Sequence, residues 1–145
     1  MHRSIIIAAM LIAGCSQAPA RPTVTDAWVR LAAVPGRPAA AYATLHGGAA
    51  AAQLVQIGAP GVARVELHES RMTGNGMMAM DAVAALPVPA GGTATLAPGG
   101  YHAMMFGVPA TVTPGATLPL TFRFADGHAV EAPARVIGAG EAAPH

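Results

Sequence analysis

Turn formers recur along this chain at short intervals, and the pattern between them is strand throughout. Pro35-Gly36, Gly47-Gly48, Pro60-Gly61, Asn75-Gly76, Gly91-Gly92, Pro98-Gly99-Gly100, Pro114-Gly115 and Asp126-Gly127 punctuate it from residue 35 onward. Glycine supplies positive φ, and proline locks φ and removes a donor, so each pair ends the element before it. The intervening segments suit strands at 24–31, 41–45, 53–57, 63–68, 77–83, 93–96, 101–108, 117–124 and 129–137. Several short strands at this spacing predict an all-β antiparallel sandwich or barrel.

The last two strands carry the clearest pattern. TLPLTFRF alternates, with Leu118, Leu120, Phe122 and Phe124 on one face, and Asp126-Gly127 then predicts a type I′ turn into HAVEAPARV. Pro133 has no N–H for a ladder and points to an edge strand. The alanine-rich runs at 39–43 and 47–53 are helical by propensity alone; the first is placed in a strand, the second in a loop or short helical turn. Trp28 is assigned to the core.

With 145 residues, 53% of them hydrophobic and 10% charged, the chain has room for one domain with a real core. It has no lysine, a formal charge of +1 and no basic stripe, which leaves a nucleic-acid surface without electrostatic footing. Neither GxSxG, a glycine-rich phosphate loop, HExxH nor CxxC is present, and no carboxylate pair suggests acid/base work. The reading is a binding protein and not an enzyme.

The N-terminus belongs to targeting. An apolar run over 5–13 follows Arg3 and is too short to span a bilayer permanently, which suits a secretory signal. It ends in Ile12-Ala13-Gly14-Cys15, which resembles a bacterial lipobox, so residues 1–14 are expected to be removed and Cys15 lipidated. Cys15 is the only cysteine, so no intramolecular disulfide can form. Residues 15–22 then make a lipidated terminus and linker, 23–138 the domain and 139–145 a short tail. The mature chain has seven arginines against seven acids. The lipobox resemblance, with Ser16 following the cysteine, implies the outer membrane of a Gram-negative cell, with the periplasm as compartment and the lipid as the only membrane contact.

Chemistry concentrates where methionine does. Outside Met1 and Met10, every methionine lies between residues 72 and 105: Met72, Met77, Met78, Met80, Met104 and Met105. His68 and His102 bracket or enter the same window, whereas His46, His128 and His145 have no such partners. Thioether sulfur is soft and uncharged; with imidazole it suits Cu(I) over zinc or magnesium. His102 and Met104, two apart on a strand, share one face, while Tyr101 and Met105 take the other and belong to the core.

These features resemble the periplasmic copper chaperone family PCu(A)C, whose signature is His, ten residues, Met, twenty-one residues, then His-x-Met. DAWVR (26–30), AAAYATL (39–45), VARVELHES (62–70), GMMAM (76–80) and LAPGGYHAMMFG (96–107) look like the family's landmarks in order. The resemblance implies a cupredoxin-like Greek-key β-sandwich, and the ligands His68, Met80, His102 and Met104 for one Cu(I). It further implies a monomeric chaperone delivering copper to an accepting protein, either a cytochrome c oxidase subunit or another chaperone. Copper buffering or resistance is the alternative role, and a metal-free envelope module is the alternative of a different class. An electron-transfer cupredoxin would need a thiolate ligand, and the only cysteine sits at the anchor.

One departure stands out: eleven residues, not ten, separate His68 from Met80. The surplus falls at Thr73-Gly74-Asn75-Gly76, where an extra residue costs little closure entropy. A two-residue Asn75-Gly76 loop would pair His68 with Val83 and leave Met80 roughly 10 Å along the strand. A working site therefore predicts a bulge or a longer loop here.

Overall fold

The computed structural model describes residues 19–144. The signal expected at 1–14, Cys15 and His145 lie outside the described residues. Ten strands follow one another: β1 (Thr23–Arg30), β2 (Ala39–His46), β3 (Ala52–Gly58), β4 (Arg64–Met72), β5 (Met78–Ala82), β6 (Leu86–Val88), β7 (Thr93–Leu96), β8 (Tyr101–Phe106), β9 (Thr117–Phe124) and β10 (Ala129–Ile137). No helix occurs among the described residues.

The strands form one sheet in the order β5-β4-β8-β7-β2-β1-β10-β9-β3-β6, with β8 also paired to β2. β1 runs parallel to β10, and β7 meets β8 in parallel at Leu96 and Tyr101. β3 packs against β4 and β6 against β7, so the sheet folds back on itself around one main core. Phe122, Leu45, Leu54, Met105 and Leu120 are its largest fully buried side chains. The alternation expected of TLPLTFRF is realised, with Leu118, Leu120, Phe122 and Phe124 all buried.

Two local expectations are corrected, the burial of Trp28 takes an unexpected face, and one strand is added. The β9–β10 turn is not type I′. Phe124 pairs with His128 around a three-residue loop, the Gly127 N–H donates to the Phe124 carbonyl, and Gly127 alone has positive φ (89°). That is a type I turn closed by a glycine bulge.

Pro133 does not mark an edge strand, because β10 lies between β1 and β9. It sits directly opposite Pro119. Hydrogen-bonded pairs alternate from Phe124–His128, so the two prolines form a non-bonded pair and their nitrogens face outward. There β1 pairing begins only at Arg135, and β3 pairing covers only Thr121–Phe124. Neither proline removes a ladder bond.

Trp28 is buried but on the outer face, in a small cluster with Tyr42 and Ile137 and beneath the Arg30 guanidinium. A bulge between Thr25 and Trp28, with Asp26 at φ 53°, shifts the register and reverses the alternation begun at Val24. Val29 thereby takes the core position.

The strand Leu86–Val88 was not foreseen, being three residues with a central proline. It forms because pairing with β3 buries Leu86 and Val88. The run 47–51 forms a loop, and β3 starts at Ala52.

Candidate metal centre

The outer face of β5, β4, β8 and β2 carries the site. On β4, Glu66, His68, Ser70 and Met72 alternate onto one face. His102 stands directly opposite His68, and Met104 opposite Glu66. On the other side of β4, Ser70 faces Met80 and His68 faces Ala82. β2 extends the face, with Ala40 opposite Met104. His68, Met80, His102 and Met104 therefore all project from one side of three adjacent strands.

Met80 reaches that side through the hairpin loop. Thr73 N–H donates to the Met77 carbonyl at 2.7 Å, and Gly76 N–H to the Thr73 carbonyl at 3.0 Å. The loop is thus Gly74-Asn75-Gly76, with Gly76 at φ 72°. The longer loop that a working site predicts is present: three residues stand in place of the tightest, two-residue Asn75-Gly76 loop, and β4 and β5 pair regularly beyond it. The one-residue change in register transfers Met80 from the far face to that of His68. Met80 becomes the diagonal neighbour of His68, a spacing of about 7–8 Å that long side chains bridge.

The imidazoles are held in defined orientations. Their ring centroids lie 6.0 Å apart with 29° between planes. His102 is 6% exposed, and its Nδ1 lies 3.1 Å from the Gly100 carbonyl. A carbonyl only accepts, so Nδ1 carries the proton and Nε2 keeps its lone pair in the neutral ring. In His68 the roles are reversed. Its Nε2 lies 3.0 Å from Glu66 Oε2 and donates to it, and its Nδ1 is buried without a hydrogen-bond partner. A buried orphan nitrogen costs free energy unless a ligand meets it.

Glu66 is in turn held by Arg64 at 2.7 Å. The His68 hydrogen bond, helped by the Arg64 charge and opposed by partial desolvation, keeps the Glu66 carboxyl below its usual range. Glu66 therefore remains an acceptor, which fixes the His68 proton on Nε2. Sequence reading missed it. The signal was available, since a residue two before His68 on a strand shares its face; the β4–β8 register adds that Glu66 stands opposite Met104.

An open cleft of about 210 Å³ is lined by Met80, His102, Met104, Ser70, Tyr42 and Pro98 with their neighbours. Met80 is 54% exposed, while Met105 on the opposite face of β8 is fully buried in the core and Tyr101 packs partly against it. Among the described residues no group of three His, Cys, Asp or Glu could hold a metal ion. The donor set on this face is imidazole and thioether, which suits a soft monovalent ion.

Comparison with known proteins places this architecture in a class. It resembles the copper-bound PCuAC domain from PmoF2 at a TM-score of 0.67 and 18% identity, over 83% of this chain and 96% of that one. It also resembles the solution structure of CuI-DR1885 from Deinococcus radiodurans at a TM-score of 0.61 and 32% identity, over 86% and 83% of the two chains. The class is the cupredoxin-like β fold of PCuAC domains. The family profile described as "Putative lipoprotein LpqE-like" matches residues 22–136. This chain belongs to that PCuAC-related family. A relative from Leifsonia xyli subsp. xyli, named "Putative lipoprotein Lxx21020", is 37% identical over 105 residues, or 72% of this chain. The match spans 62% of that curated relative's length.

Proposed function

We propose that this protein is a lipid-anchored, extracytoplasmic copper chaperone. It holds one cuprous ion tightly through His68, Met80, His102 and Met104 and passes it to a copper-accepting protein. The observation that carries this reading is the paired register of β5, β4 and β8, which leaves two thioethers and two imidazoles on one face. Names of relatives lend support: one similar structure is a Cu(I) form, and the family and the Leifsonia relative are named as lipoproteins.

In this reading His68 binds through Nδ1 and His102 through Nε2, the nitrogens their hydrogen bonds leave free. Glu66 and the Gly100 carbonyl hold the rings in place, as partners beyond the ligands commonly do. Thioethers bind without losing a proton, so only the imidazoles make loading sensitive to acid. The exposed Met80 is the first ligand an acceptor displaces, and buried His102 the last. Cys15 carries the lipid, the compartment is the periplasm, and the acceptor is in cytochrome c oxidase assembly.

A cuprous competition titration with X-ray absorption tests the site, comparing wild type with Met80→Ala, Met104→Ala and His102→Ala/Met104→Ala. Nitrogen and sulfur scatterers are expected in the wild type, with loss of the tight ion in the double variant. Unchanged tight binding in that variant would overturn the reading. Transfer from the loaded chain to the apo copper domain of the oxidase tests delivery; a chain that binds tightly but never transfers is a buffer.

A further inference from the structure

Six large hydrophobic side chains are exposed among the described residues, and four of them are methionines of the β4–β5 hairpin: Met72, Met77, Met78 and Met80. Core packing cannot explain them, since they are 54–67% exposed. Met72 stands directly opposite Met78, and Ser70 opposite Met80. Ladder bonds link Thr73 to Met77 and Val83 to Leu67, so the pairs between them on the His68 face are non-bonded ones. In such pairs the Cα atoms approach to about 4.5 Å and the side chains are closest. Met72 and Met78 are therefore close neighbours on one exposed face at the hairpin tip. Met80 is diagonal to Met72 on one side and to His68 on the other. Met77, one residue from Met78, alternates to the opposite face.

We propose that Met72 and Met78, with Met80 as a shared third sulfur, form a second, weaker cuprous site of thioethers alone. It captures an incoming ion at the exposed tip and passes it inward. The ion keeps Met80 and exchanges Met72 and Met78 for His68, His102 and Met104, with no change in its oxidation state. Three neutral sulfurs in water suit a soft monovalent ion and offer little to harder ones. The site differs from the four-residue one in its ligands, Met80 excepted, so each can fail independently.

The test follows anaerobic titration of the full chain with cuprous ion by native mass spectrometry and methionine-methyl NMR. A Cys15→Ser background keeps a thiolate from competing. Two ions are expected to bind, the second held only by Met72 and Met78 once Met80 serves the inner site, and so moving those two methyl signals at higher copper. Met72→Leu/Met78→Leu should bind one ion with its tight affinity intact and load more slowly from a weak copper donor. Both positions are exposed, so leucine leaves the fold undisturbed. In His102→Ala/Met104→Leu a weak ion should remain, with equal affinity above and below the ordinary histidine pKa of about 6.5. Saturation of the wild type at one ion, with Met72 and Met78 methyls unmoved, overturns the proposal. So does a second ion that survives Met72→Leu/Met78→Leu. Movement of those methyls alongside a tight ion indifferent to His102 and Met104 would uphold this site and sink the four-residue one.

Discussion

Two adjacent methionines show how one residue's place in a pleat decides its work. Met105 is fully buried among β2 and β4 residues, whereas Met104 lines the outer cleft. Met105→Ala should cost about 2–5 kcal/mol in urea unfolding, the usual cost of emptying a buried methionine site. Met104→Ala should change stability little and instead weaken cuprous binding. Glu66→Gln tests the hydrogen-bond frame, because an amide can donate to or accept from the imidazole and so no longer holds the His68 proton on Nε2. A loss of about 10–100-fold in cuprous affinity is expected, with mixed His68 tautomers by nitrogen NMR. Tyr42, buried against Trp28, has its phenol raised above the usual value by desolvation, which outweighs the nearby Arg30 charge. Its folded pKa exceeds its unfolded one, so stability is untouched below about pH 10 and falls as pH rises further. Ultraviolet titration of folded and unfolded chain reads that difference.

The decisive element is the β4–β5 hairpin. Eleven residues between His68 and Met80 put both on one face because the loop is three residues long. Ten residues around a two-residue loop would leave the same Ser70–Met80 pair, so the loop absorbs the surplus and the strands keep register. Deleting Gly74 should therefore preserve cuprous affinity, with Asn75-Gly76 closing the shortened turn. Gly76→Val should instead destabilise the hairpin by about 1–2 kcal/mol, the cost of a side chain at positive φ. Nothing lies within 4 Å of a Cβ there, so the cost is backbone strain and not a clash. Cuprous titration checks the first, and amide exchange across β5 the second. The hairpin also shows what sequence reading misses. Asn75-Gly76 signals a turn correctly, but glycines at both 74 and 76 allow two loop lengths. Only the assembled ladder selects between them.

At the scale of the molecule, a ligand that binds only the folded chain stabilises it by mass action. Free cuprous ion at a hundred times its Kd should add about 2.7 kcal/mol, seen as a higher Tm that a cuprous chelator reverses. His102→Ala/Met104→Ala should lose that gain while keeping its metal-free Tm within a few degrees. The all-β architecture was legible before the structure because turn residues and strict alternation are local. β7, β9 and β10 lie where the pattern puts them, and the soft-donor window around Met72–Met105 could be read from residue type alone. What could not be read depends on pairing between distant strands. The Asp26 bulge turned Trp28 outward, β3 recruited Leu86–Val88, and β1 and β3 stop short of two prolines. The sequence by itself determined the strand class, the turns and the chemistry of the donors, since these follow from side-chain type and nearest-neighbour geometry. Only the tertiary structure decided which donors meet, because a strand's face is set by a register accurate to one residue, and register belongs to the whole sheet.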